Sequence, residues 1–89
     1  MNKDDQLLQI KAALQALQPT HLEVVDESER HRGHGGWIEG QVTHIHVKIA
    51  SLVFQGLSRI QQHRLVNEKL FINNEKYLHS VKISIVGCV

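Results

Sequence analysis

The sequence predicts an α+β fold of order α-β-β-α-α-β, a three-stranded mixed sheet with its helices on one face. Three observations predict it. Apolar residues recur at helical spacing near the N-terminus and again after Ser58. They alternate with polar residues in three short stretches. The first two of these stretches follow one another as a hairpin, and a helical crossover leads to the third. Each amphipathic element has one apolar side to bury, so the helices share a face.

The first helix is expected from Asp4 to about Gln18, where Leu7, Ile10, Ala13, Leu14 and Leu17 fall on one side. Asp4 and Asp5 complement the positive end of its dipole, and Pro19 stops it. Between Thr20 and Glu27 the chain alternates around Leu22 and Val24. From Gln41 to Ser51, Thr43, Ile45, Val47 and Ile49 alternate with His44, His46 and Lys48. The segment between these strands, Ser28 to Gly40, holds four glycines with Arg30, His31, Arg32 and His34, which predicts a mobile, cationic surface loop. Gly56 breaks the chain after Phe54 in a structural role, and Ser58 is placed to cap a second helix reaching about Phe71. Its apolar stripe reads Ile60, Val66, Leu70 and Phe71, with His63 inside the stripe. Asn73 or Asn74 can cap a short third helical turn ending near Leu78. Val81, Ile83 and Ile85 then alternate with Lys82 and Ser84 as the last strand.

The 89 residues suit one domain spanning 1–89, and 42% hydrophobic with 21% charged residues is ordinary for a folded globular chain. A formal net charge of +1 gives no polyelectrolyte signal for nucleic acid. No apolar run approaches the roughly 20 residues that span a bilayer, and the first residues carry no signal or transit pattern, so a cytoplasmic protein without membrane contact is expected. Cys88 is the only cysteine, which rules out an intrachain disulfide. Histidine is the anomaly: His21, His31, His34, His44, His46, His63 and His79 make seven in a short chain, and imidazole binds metals and titrates near neutrality.

Four segments together resemble the BolA family. They are Leu22-Glu23-Val24-Val25-Asp26-Glu27-Ser28 with His31 three residues on; Thr43-His44; Phe54-Gln55-Gly56-Leu57-Ser58-Arg59 with His63-Arg64-Leu65-Val66-Asn67; and Leu78-His79-Ser80-Val81. The resemblance runs from the first helix to the last strand. It implies a class II KH-like fold, no enzymatic activity, and pairing with a monothiol glutaredoxin in a heterodimer bridged by a 2Fe-2S cluster. In such a pair the BolA-type partner supplies a histidine before the last strand, here His79, and a loop ligand, here His31. The loop is several residues longer than the common form, carries Gly35, Gly36 and Trp37 where many members have a Pro-containing turn, and offers His34 as an alternative to His31. A lone cysteine cannot supply four thiolates. The family's glutaredoxin pairing implies that the remaining ligands come from the glutaredoxin and glutathione, with no cluster held tightly by the isolated chain.

The other polar residues have plainer readings beside the functional ones. His44 and His46 share a strand face at a spacing that could chelate zinc or copper, yet no third ligand is visible, and a solvated face is expected. His63 is read as structural, packed on the sheet with a ring nitrogen hydrogen-bonded. Arg59 and Arg64 are expected on the other side of that helix. With Lys69 they could form a partner or nucleic-acid surface, and this supports the second reading, a DNA-binding transcriptional regulator using the helix-turn-helix surface. The G-x-x-G clamp expected between KH helices is absent. No activated nucleophile, phosphate loop or tuned carboxylate pair argues for an enzyme. Client proteins, cluster delivery against iron sensing, and weak homodimerisation of the apo-protein stay open at the level of sequence.

Overall fold

The computed structural model describes residues 2–71 and 78–86. Helix α1 spans Lys3–Leu14 and continues as a 3-10 turn, Gln15–Leu17. Its N-terminus is capped by Asn2, whose side-chain oxygen accepts the Asp5 N–H at 2.8 Å, so an orphan helix donor is satisfied. The chain then turns through Gln18, with φ of 50°, into Pro19. Strand β1 is His21–Asp26, β2 is His44–Ala50, α2 is Arg59–Phe71 and β3 is Ser80–Ile85. The helical turn expected near Asn73 and Asn74, and Cys88, lie outside the described residues.

The sheet order is β1-β2-β3. β1 runs antiparallel to β2, with His21 opposite Ala50 and Asp26 opposite Ile45; β2 and β3 are parallel, with His44 opposite Ser80 and Ile49 opposite Ile85. The expected mixed sheet follows from this register. Period-two alternation then sends Ile45, Val47 and Ile49 to one face, where they are buried with Ile10 and Leu14 of α1 and Val66 and Leu70 of α2. Phe54 and Leu78 complete that core from the connections.

Helix α2 begins with a reciprocal cap. Ser58 Oγ accepts the Gln61 N–H at 3.2 Å, and the Gln61 side chain accepts the Ser58 N–H at 2.9 Å. Gly56, with φ of +78°, makes the left-handed turn before it, where a Cβ would be strained whatever the space around it. Two sequence expectations for this helix are corrected. Ile60 is 64% exposed and takes no part in the buried face. At 3.6 residues per turn it lies about 120° around the helix from Val66, too far to share a stripe with it. Arg59 lies on the same side as His63, one turn away, and not opposite: both line a groove with Gln62 and with Ile83, Ser84 and Ile85 of β3. His63 is half-buried there against the sheet edge.

Candidate functional site

The connection from β1 to β2 decides what the sheet presents at one end. Asp26 accepts both the backbone N–H and the hydroxyl of Ser28, which starts a 3-10 turn over Ser28–His31. Ser28 is fully buried. Its hydroxyl oxygen also receives the N–H groups of Thr43 and His44 at 2.9 and 3.2 Å, and Glu27 N–H donates to His44 O at 2.9 Å. The turn is thereby fastened across the first residue of β2. Further along, the loop is tied to α1: buried Gln6 accepts the Val42 N–H at 2.8 Å and donates to the Gln41 side chain.

The loop's cationic character is largely compensated. Arg30 pairs with Glu27 and Arg32 with Glu29, each at 3.1 Å, and Lys3 of α1 reaches Glu29 at 3.1 Å. Hydrogen bonds from Lys3 and then Arg32 hold the Glu29 carboxyl below the usual carboxylate range. Arg32 also lies over the Trp37 ring, 5.0 Å from its centroid. The buried Trp37 indole N–H has no hydrogen-bond partner among the described residues.

Four imidazoles gather at this end of the sheet, two of them from the loop itself. His31 stacks on His44 with ring centroids 4.3 Å apart and planes 7° from parallel; His34 meets the edge of His31 at 5.6 Å; His79 lies 5.5 Å from His44, tilted by 54°. The solvated strand face expected at His44 is not what forms. Only 6% of His44 is exposed, because the Ser28–His31 turn folds across the start of β2 and covers it. One hydrogen bond joins His44 Nδ1 to Thr43 Oγ1 at 2.8 Å. Burial lowers the His44 pKa below the ordinary histidine value, and the nearby His31, His79 and His34 lower it further. His46 stays half-buried, hydrogen-bonded to Ser84 Oγ at 2.7 Å, and is not part of the group.

His79 is set by the core and the sheet together. The residue before it, Leu78, is buried; the N–H groups of His79 and Ser80 both donate to Thr43 O at 2.8 and 3.1 Å. This fixes the backbone at the entry of β3 while leaving the side chain exposed. Gly36, with φ of +79°, packs directly on that ring: a methyl group at this position would overlap His79 Cγ, Nδ1 and Cδ2. From sequence, His44 is marked only as a possible chelator on a solvated face and Gly36 only as part of the lengthened loop; their contacts with the His31 and His79 rings are not. The Thr43-His44 pair and the Gly35-Gly36 doublet were the signals available.

Among the described residues, no three histidine, cysteine, aspartate or glutamate side chains are arranged to hold a metal ion. Ring geometry gives one reason. A metal–nitrogen bond of about 2 Å lies in the imidazole plane, so two parallel stacked rings cannot both direct a lone pair at one ion. At most one of His31 and His44 can serve a given metal ion in this arrangement. Imidazole is a common ligand for zinc, copper, iron and nickel, and within this group His34 and His79 are exposed, His31 is half-buried and His44 is buried.

Arg59, Arg64 and Lys69 are not brought together. Arg64 lies about 140° around α2 from both Arg59 and Lys69, and those two, about 80° apart, are separated by about 15 Å along the axis, so the three do not form one compact cationic face. No helix among the described residues is long and apolar enough to cross a membrane.

Comparison with known proteins agrees with this architecture. The profile of the family described as BolA-like protein matches residues 14–87. A BolA-like protein of Dictyostelium discoideum is 44% identical over 70 residues, covering 76% of this chain and 57% of that protein. The solved BolA domain of SufE1 from Arabidopsis thaliana is similar with a TM-score of 0.76 at 35% identity, covering 88% of this chain and 86% of that one. BolA1 from Arabidopsis thaliana gives a TM-score of 0.74 at 33% identity over the same shares.

Proposed function

The chain belongs to the BolA family, and on that footing we propose that it is an adaptor which joins a monothiol glutaredoxin in a heterodimer bridged by a 2Fe-2S cluster. Members of this family are not enzymes, so the activity is one of binding and handing over. The observation that carries the proposal is the exposed His79, held by Leu78 and Thr43 at the edge of a four-imidazole group. His79 is one ligand in this reading. The second is His31 or His34, both at the loop end of the same group.

The cluster is cargo shared between two proteins. Imidazole in place of thiolate lowers the negative charge on an iron and raises its potential, which suits a site that forms and releases a cluster rather than storing it. Cysteine from the glutaredoxin and from glutathione supplies the remaining coordination.

Reconstitution with a monothiol glutaredoxin, iron, sulfide and glutathione tests the proposal. Visible absorption and circular dichroism are expected to show a mixed cluster for wild type, distinct from that of the glutaredoxin alone. His79→Ala is expected to change the spectrum, and whichever of His31→Ala and His34→Ala does likewise is the loop ligand. A wild-type spectrum equal to that of glutaredoxin alone overturns the adaptor role.

A further inference from the structure

Of the four imidazoles, only His44 is buried, and it alone touches both His31 and His79. Its backbone is fixed on both sides. The carbonyl accepts the Glu27 N–H at 2.9 Å, the N–H donates to Ser28 Oγ at 3.2 Å, and the residue is in parallel register with Ser80 of β3. Its ring is fixed too, through Nδ1 and Thr43 Oγ1. The two rings that lean on it are less buried. His31 rides on a 3-10 turn in the long loop, and His79 projects from the first residues after Leu78.

A flat ring held in place between two less constrained rings determines how those rings face one another. We propose that His44 is a positioning residue: its stacked ring orients His31 relative to His79 without itself donating a nitrogen to the metal. The parallel stack excludes His31 and His44 as joint ligands of one ion, and His44 is the member whose Nδ1 is held by Thr43 and whose ring is closed off from the surface. Gly36 acts from the loop toward the same end, since its bare backbone is what lets the loop lie on the His79 ring. The inference rests on the adaptor reading for what the orientation is used for, but the orientation itself belongs to the metal-free chain.

Two variants separate positioning from ligation and from simple packing. His44→Phe keeps a flat ring and loses both nitrogens; His44→Leu fills much of the space and loses the ring. In the metal-free chain, the carbon-bound protons of His31 are expected to keep their upfield ring-current shift in His44→Phe and to lose it in His44→Leu. With glutaredoxin, iron, sulfide and glutathione, His44→Phe is expected to restore the circular dichroism of the wild-type mixed cluster, while His44→Leu alters it. Loss of Thr43's partner lowers the melting temperature of both variants, so stability alone does not decide between them. A mixed cluster lost in His44→Phe with the His31 shift retained makes His44 a ligand and overturns the proposal. A His31 shift and spectrum unchanged in His44→Leu overturn it as well. If wild type forms no mixed cluster, the adaptor reading fails, and the metal-free spectra still decide whether His44 orients His31.

Discussion

Burial holds the His44 imidazole below the ordinary histidine range, and the facing rings of His31, His79 and His34 add to the depression. Because the folded-state value lies below the unfolded one, the unfolded chain takes up the proton first as pH falls. This contribution to stability is complete above an unfolded value of about 6.5 and is lost as pH drops from there toward the folded value. The melting temperature of the metal-free protein is expected to decline as pH falls below about 6.5, and to decline less in His44→Phe. An equal slope in both contradicts the assignment. Gly36 and Gly33 make a second test, since both have φ of +79° but only Gly36 faces a neighbour. Gly33→Ala should cost about 1–2 kcal/mol from backbone strain alone. Gly36→Ala should cost more and also shift the His79 ring resonances, which heteronuclear NMR and denaturant unfolding together detect. His79, His31 and His34 could be singled out from the sequence because motif and loop placement mark them. The role of His44 could not, since period two gives its face but not the turn that comes to cover it.

Helix α2 shows where elements were legible and where their packing was not. Its start was readable because Ser58 and Gln61 cap one another locally, through bonds spanning three residues. Its buried side was misjudged at Ile60, because an apolar residue near the start of a helix counts toward a stripe only if its angle fits, and Ile60 lies off the Val66 and Leu70 line. Ile60→Ala is accordingly expected to change unfolding free energy by no more than about 0.5 kcal/mol. Leu70→Ala, at a fully buried position, should cost about 2–5 kcal/mol. Chemical denaturation of the two variants checks the contrast, and a costly Ile60 substitution would place α2 in a different rotation. The long loop was legible as cationic and glycine-rich. Its pairing with Lys3, Glu27 and Glu29, and its fastening by Gln6 and Ser28, depend on partners that only the tertiary fold supplies.

At the scale of the whole molecule, topology assembles the site. The antiparallel return of β2 beside β1 brings the Ser28–His31 turn over His44, and the parallel register of β3 on β2 sets Ser80 opposite His44, with His79 one residue before it. Residues 31, 44 and 79 thus meet at one end of a sheet whose opposite face is occupied by α1 and α2. The α+β class and the mixed three-stranded sheet were readable from periodicity and crossover rules, whereas the meeting of these rings required the register. The same end of the sheet is where the adaptor reading places the cluster, half-coordinated by this chain. The most direct test labels the histidines of this chain with nitrogen-15, assembles the complex with an unlabelled monothiol glutaredoxin, reduces the cluster, and records pulsed electron paramagnetic resonance. Strong hyperfine coupling to nitrogen-15, diminished in His79→Ala, is the result the account predicts. A reduced cluster in the heterodimer with no coupling to this chain's histidines would contradict it.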